Sequence, residues 1–279
     1  TKGTELTLGL NPTQLVSLGG LDWNFQMNYY TSESKVTKLN VDPYNFGGFA
    51  TFLGTYRIEE GWSPTALVGS EMWYTDHVNG TKTNNSWTDA DADEIQAEEG
   101  YVALQAEDGS EDNDPFLVNG IHQHTKLGDE NPDYRISFRN SFRYGPVELS
   151  FLIDHKQGGH AINLANLIYD LGGTTADYEA NGGTRLGGLG AVTQPYIEST
   201  SYTALRDISV TYTLPGNISD QLGLGYLKVG FSGRNLWLKT DYTGLSPEVS
   251  QFGNEAVGGS VDTNPFPLSK SMYLTLSVG

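Results

Sequence analysis

Two long runs in the last third of the chain alternate strictly between apolar and polar residues, and this pattern limits what the chain can fold into. The apolar positions are Ile208, Val210, Tyr212 and Leu214 in the first run and Leu227, Val229 and Phe231 in the second. A period of two places alternate side chains on opposite faces of a β-strand. Pro215 ends the first run because proline cannot donate to a β-ladder. The two runs therefore predict a long antiparallel hairpin with one apolar and one polar face.

The same alternation recurs along the whole chain and predicts about nine strands. The runs lie at residues 2–10, 21–29, 51–58, 65–74, 134–144, 147–156, 207–214, 227–234 and 271–279. Between them, short connections such as Gly145-Pro146 alternate with long ones, and the longest are 75–132, 158–200 and 239–270. Every second connection lies on the same side of an antiparallel sheet, which is how bacterial outer-membrane barrels sort short turns from long loops. A soluble β-sandwich alternates too but does not sort its loops in this way.

The strand count predicts an open piece of a larger wall. Single-chain bacterial barrels close with an even number of strands, and plugged transporters have about 22. We therefore predict an all-β fold, an antiparallel transmembrane β-barrel segment spanning residues 1–279, with no plug domain in this sequence. We also expect that residues 2–10 and 271–279 do not pair with each other. Thr1 lies inside a predicted strand, so we expect the chain to be part of a longer protein.

Composition excludes several function classes. The 279 residues carry a formal net charge of −18 with only 16 Lys and Arg, which disfavours nucleic acid as a partner because phosphate binding needs a basic surface. No cysteine is present, so disulfides, thiolate metal sites and thiol nucleophiles are excluded. No run of about 18 apolar residues predicts a transmembrane helix. One short helix is predicted in AINLANLIYDLGG, ended by Gly172.

Two motifs give the chain a specific resemblance. The run ALRDISVTYTLP is followed, after a turn, by VGFSGRNLWLKTDYTGLSPEV, with Ser246 at a position that is usually Asp. Near the start, an EL pair precedes a strand with Trp23 and Asn28 at W-x-x-x-x-N spacing. The sequence resembles the C-terminal region of SusC-like TonB-dependent outer-membrane transporters of the Bacteroidetes type.

The resemblance implies location, cargo and partners. It implies a place in the bacterial outer membrane, in contact with its lipid, and import of glycan or peptide fragments. It implies a SusD-like surface lipoprotein as lid and a TonB complex reached through an N-terminal part. The rival reading from the residues is a secreted or surface-displayed β module that binds a ligand or builds an assembly. An enzyme is disfavoured because no nucleophile–base pair, G-x-S-x-G elbow or P-loop is present, although loop carboxylates are plentiful.

The candidate sites lie mainly in the acidic connection 75–132. Asp108, Ser110, Asp112 and Asp114 stand at alternate positions, as in calcium loops, but lack the glycine at the sixth and the acid at the twelfth position. A solvated acidic loop is therefore favoured over calcium as a cofactor. Trp87, inside this connection, is the candidate for ligand or partner contact, whereas Trp62 and Trp73 are predicted in an interfacial aromatic girdle.

Two further groups of residues complete the candidates. A metal cluster of His122, His124 and Asp129 is weakly predicted, since no further ligand stands at fixed spacing. Charged residues of the two strands around Gly145 are predicted on the polar face, where cross-strand pairing explains them without a substrate. These are Arg135, Arg139, Arg143, Glu148 and Asp154.

Overall fold

The computed structural model describes the chain except residues 17, 48–53, 70–101, 104–115, 119–120, 123–124, 188–192, 249 and 251–258. Its strands are β1 (Lys2–Leu10), β2 (Leu21–Glu33), β3 (Tyr44–Phe46), β4 (Thr55–Ile58), β5 (Ala66–Gly69), β6 (Val102–Ala103), β7 (Phe116–Val118), β8 (Ile121–His122), β9 (Thr125–Asp129), β10 (Pro132–Tyr144), β11 (Val147–Gly158), β12 (His160–Asn163), β13 (Ile197–Ser199), β14 (Tyr202–Thr213), β15 (Leu227–Thr240), β16 (Val261–Asp262) and β17 (Ser271–Val278). Its α-helices are α1 (Leu164–Leu171), α2 (Gly183–Gly187) and α3 (Gly216–Gln221). None of the described helices is both long and apolar enough to cross a membrane.

The long strands form one antiparallel sheet, which we call the wall. Its seven strands stand in the order β1-β2-β10-β11-β14-β15-β17. The prediction of an all-β antiparallel sheet is confirmed, but the predicted count of about nine is too high. The runs at 51–58 and 65–74 contribute β4 and β5 to a separate four-stranded sheet with β3 and β9. β4 and β5 have only four residues each and β5 is buried throughout, so their short alternation does not mark a two-faced wall strand.

The wall has two open edges. Among the described residues, β1 pairs only with β2 and β17 only with β15, so the predicted absence of pairing between residues 2–10 and 271–279 is confirmed. A row of directly opposed residues starts at Gly9, next to the last residue of β1, and ends at Ser271, the first residue of β17. The strand register is therefore staggered across the sheet, so that the row passes from one end of the wall at β1 to the opposite end at β17. Such a stagger accompanies the tilt of strands in a barrel wall.

The register keeps the alternation in phase across the wall. One transverse row consists of Leu8, Met27, Phe138, Ile153, Leu205 and Trp237, and another of Trp23, Phe142, Leu149, Val210, Phe231 and Leu274. One of the two rows between them on the opposite face consists of Asn24, Ser141, Ser150, Ser209, Ser232 and Tyr273. The wall therefore has an apolar face and a polar face. In the chain by itself the apolar side chains are exposed on the strands nearest the edges, with 81% exposure at Leu274 and 53% at Leu6, and mostly half-buried on the central strands.

The long connections leave the wall at one end, which we call the upper end. The connections between β2 and β10, β11 and β14, and β15 and β17 supply one buried core. Its members are Tyr56, Leu67, Ile162, Leu164, Leu167, Tyr196 and Val261. The predicted helix is confirmed as α1, capped by Gly172. Short strands within two of these connections, β5 and β16, contribute Leu67 and Val261 to this core.

Candidate functional site

The polar face carries a column of arginines on β10. Arg135, Arg139 and Arg143 are all exposed and lie on one face because they are four residues apart. Arg143 faces Glu148 on β11, with 3.5 Å between guanidinium nitrogen and carboxylate oxygen, so the predicted cross-strand pairing is confirmed there. Arg139 instead lines a groove of about 450 Å³ between β1, β2 and β10, together with Gln26. No hydrogen bond or ion pair joins Arg135 or Arg139 to another described residue.

Asp154 belongs to a different cluster, built around Arg206. The ladder between β11 and β14 shifts between Leu152 and Ile153, where Leu205 and Asp207 face consecutive residues. Such a bulge leaves one residue unpaired and re-aims its side chain, here Arg206. Its Nε and Nη2 both donate to Asp154 Oδ2 at 3.1 Å, and its guanidinium lies 4.9 Å from the Tyr202 ring.

Glu248 completes this cluster from the connection after β15. Arg206 Nη2 donates to Glu248 Oε1 at 2.5 Å. Each of the three charged side chains is only 17–22% exposed, which strengthens the ion pairs relative to those in water. The cluster therefore ties the segment that contains Glu248 to the polar face near the upper end of the wall.

The residues of the T-x-Y-x-G-x-x-P-E motif explain how Glu248 is positioned. Thr240 Oγ1 donates to the carbonyl of Ser201 at 2.7 Å and accepts from the Tyr242 amide at 3.2 Å. A Cβ on Gly244 would lie 2.5 Å from the Tyr242 ring, so only glycine fits this approach. Ser246 Oγ accepts from the Glu248 amide at 3.3 Å, a role that an Asp side chain also performs. The departure at Ser246 thus preserves the chemistry of the turn.

A second network fixes the connection between β11 and β14. The carboxylate of Asp170, on α1, is fully buried and accepts from Arg185 Nε and Nη2 at 2.9 Å each. Thr175 Oγ1 and Tyr196 OH donate to the same carboxylate at 2.8 and 3.1 Å. Burial by itself raises the pKa of Asp170, but these hydrogen bonds outweigh it and hold the pKa below its ordinary value. The carboxylate is therefore ionised at neutral pH and neutralised by Arg185.

A third network joins two connections to each other. Glu198 Oε1, at β13, accepts from Asn163 Nδ2 at 2.8 Å, and Glu198 Oε2 accepts from the Thr243 amide at 2.8 Å. Tyr242 OH donates to Asp262 Oδ2 at 2.8 Å. Burial, followed by the negative charge of Asp262, raises the pKa of Tyr242. These contacts hold the upper core in one arrangement rather than presenting a proton donor or nucleophile to solvent.

Most of the sequence-predicted sites lie outside the described residues. This is so for Asp108, Ser110, Asp112 and Asp114, and for Trp73, Trp87 and His124, so calcium and the contact at Trp87 stay predictions. Asp129 is described, and its Oδ1 accepts from Thr65 Oγ1 at 2.6 Å and from the Asn131 amide at 3.1 Å. No group of three metal-binding side chains forms within the described ranges.

One predicted position is wrong. Trp62 is half-buried in the connection between β4 and β5, where its backbone pairs with that of Val36. It therefore lies outside the wall and not in an aromatic girdle. Aromatic residues of the apolar face stand instead at the two ends of the wall, with Tyr144 and Tyr212 at the lower end and Tyr29 and Trp237 towards the upper end.

The wall has the fold of part of a much larger solved transporter chain. Structures of the RagAB peptide importer match 98% of this chain, with a TM-score of 0.63 and 19% identity in the closed-closed state and a TM-score of 0.60 and 17% identity in the open-open state. In both cases the chain covers 28% of the solved chain. No protein-family model matches the sequence.

Two curated relatives of the sequence are TonB-dependent receptors. TonB-dependent receptor P3 of Formosa agariphila is 29% identical over 169 residues, which are 54% of this chain and 17% of the receptor. TonB-dependent receptor P26 of the same organism is 24% identical over 198 residues, which are 59% of this chain and 20% of the receptor. The resemblance to TonB-dependent outer-membrane proteins that the sequence motifs predict is therefore confirmed. The chain spans about a fifth of the length of these relatives.

Proposed function

We propose that this chain is the C-terminal wall segment of a SusC-like TonB-dependent transporter in the bacterial outer membrane, importing oligosaccharide or peptide fragments. The observation that carries the proposal is the continuous apolar face of the wall, whose side chains are exposed on β1, β15 and β17 and partly exposed on the central strands. Transfer of each large apolar side chain out of water is favourable by about 1.5–3 kcal/mol of free energy, so a face of this size is stable only in apolar surroundings. Lipid supplies that surrounding when the polar face lines a lumen.

The open edges support a wall that continues on both sides. Backbone groups at an unpaired edge cost several kcal/mol each in hydrocarbon, so β1 and β17 require neighbouring strands. In a barrel of about 22 strands those neighbours come from the rest of the same polypeptide. The part that contacts the TonB complex belongs to that remainder.

The upper core gives the proposal its orientation. Long connections of outer-membrane barrels face the outside and short ones the periplasm, so the core around Tyr56 and Ile162 is on the extracellular side. A SusD-like lipoprotein would cover the barrel from that side. On α1, Ile168 and Leu171 leave the core and are 54% and 62% exposed, and we assign this apolar strip to the lipoprotein contact.

The function is tested with the full-length protein expressed in a bacterial outer membrane. We expect it to fractionate with outer membranes, to need detergent for extraction, and to import labelled oligosaccharides or peptides only when TonB is present. A full-length protein that stays monomeric in plain buffer would instead identify a secreted ligand-binding or assembly module. Catalytic turnover of the cargo, lost on mutation of one loop carboxylate, would identify an enzyme.

A further inference from the structure

Two cations stand directly opposite each other near the upper end of the polar face. Arg135 on β10 pairs with Lys156 on β11 in the ladder, and Tyr30 and Tyr202 flank them in the same transverse row. Residues opposed in this way have Cβ atoms about 4.5–5.5 Å apart, and like charges there destabilise a sheet. The chain as a whole has a net charge of −18, so two adjacent cations on this face stand out from its overall acidity.

Neither cation has an ion-pair or hydrogen-bond partner among the described residues. Lys156 is 6% exposed, and its ammonium nitrogen lies 5.9 Å from the centre of the Tyr202 ring. Buried charges are normally paired, because leaving water without a partner is costly. Three carboxylates lie nearby. Those of Asp154 and Glu248 are both held by Arg206, and that of Glu130 is close enough for its charge to act on Lys156 but forms no ion pair with it. Glu5, on β1, stands two strands away from Arg135.

The surroundings of Lys156 are built to receive a polar group. A Cβ on Gly159 would lie 3.0 Å from both the Glu130 carbonyl oxygen and Thr200 Oγ1, and 3.3 Å from Lys156 Nζ, so all three atoms border the same small space beside the glycine. Thr200 is 1% exposed and its hydroxyl has no partner. Arg135, by contrast, is exposed on the polar face, where its planar guanidinium can bind a carboxylate with two parallel hydrogen bonds.

We propose that Arg135 and Lys156 form an anion site that binds a carboxylate of the cargo as it enters from the upper end. The carboxylate accepts hydrogen bonds from the exposed guanidinium of Arg135, and its charge neutralises the adjacent ammonium of Lys156. The Tyr30 side chain, 47% exposed, packs beside the ligand. This inference rests on the proposed transport function and gives it a substrate class, namely acidic oligomers. A carboxylate can come from an acidic peptide or an acidic sugar, and both sources share this chemistry.

The test measures binding to the full-length protein in detergent micelles by titration calorimetry. Triglutamate is compared with triglutamine, and trigalacturonate with galactotriose, so each acidic probe has a neutral counterpart of similar size. We expect one acidic probe to bind at least tenfold more tightly than its counterpart, and the arm in which it does so identifies the source. Arg135→Gln should remove that preference, and Lys156→Gln should reduce it at least tenfold.

A matched control separates this site from general surface charge. Arg234→Gln removes a guanidinium of the same face that already has Asp207 within 3.7 Å, so it should change neither acidic nor neutral binding. Because Arg135 is exposed, its variant tests the site even if Lys156→Gln fails to fold. Equal binding of acidic and neutral probes, or unchanged acidic binding in Arg135→Gln, overturns the anion site. Import of neutral cargo would then still uphold the transport function, whereas TonB-independence of all import would refute the function itself.

Discussion

Replacing Asp170 by Asn tests whether the long connections form a core held by a buried ion pair. The substitution keeps the shape but removes the charge that accepts from Arg185, Thr175 and Tyr196. Breaking a buried ion pair by removing one partner costs about 3–5 kcal/mol. Arg185 keeps its ion pair with Asp177 at 2.8 Å, so we expect a destabilisation at the bottom of this range, about 3 kcal/mol.

The assay is amide hydrogen exchange of the full-length protein in micelles, read at α1. A loss of about 3 kcal/mol accelerates exchange there by about 100-fold, since 1.4 kcal/mol is a factor of ten. The wall amides of β10 and β11 should not change. The matched control is Asp177→Asn, which removes an acceptor of the same guanidinium that is 47% exposed and should cost under about 1 kcal/mol. Equal effects of the two substitutions would refute the account of a buried anchor.

Three further predictions concern the upper end of the wall. Glu248→Gln should lower the free energy of local unfolding of residues 241–248 by about 1.5–3 kcal/mol, because a charge-assisted hydrogen bond to Arg206 is lost. Limited proteolysis should then cut this segment first. The control Glu148→Gln, whose partner Arg143 is 62% exposed, should not alter the cleavage. Gly244→Ala should break the contact of Tyr242 with Asp262 and loosen the same segment in hydrogen exchange, whereas Gly216→Ala, with open space around its Cβ, should not. The pKa of Asp170 is lowered in the folded state, so the stabilisation from its ionised carboxylate is present above the ordinary value of 3.8 and is lost as the pH falls below it. Hydrogen exchange of the α1 amides, corrected for intrinsic rates, should therefore rise in acid for the wild type but much less for Asp170→Asn.

The wall could be predicted from the sequence because its two faces meet different surroundings. Alternation from Ile208 to Leu214 survives in the structure as transverse rows, since every strand keeps the same phase. The sequence pattern wrongly predicts β4 and β5 in the wall, because four alternating residues do not distinguish a two-faced strand from one buried in a core. Local sequence patterns do not predict the core at the upper end, because its residues come from connections that are far apart in the chain.

The ion-pair clusters depend on tertiary contacts that local patterns do not contain. Asp170 meets Arg185 fifteen residues away, and Arg206 meets Glu248 across 42 residues. One signal for the Arg206 site was present in the sequence. The outward residues Leu205 and Ile208 are three apart rather than two, and this break in phase marks the bulge that carries Arg206.

The central claim is that the apolar face of the wall meets lipid and the polar face does not. Spin labels placed singly at Val229 and Lys228 in the full-length protein, reconstituted in bilayers, test it directly, because these neighbours lie on opposite faces. We expect a lipid-soluble relaxation agent such as oxygen to reach the label at 229 and not at 228. We expect the same contrast between Leu274 and Ser277 on β17. Labels at 228 and 277 that are more accessible to the lipid-soluble agent than those at 229 and 274 would contradict the account.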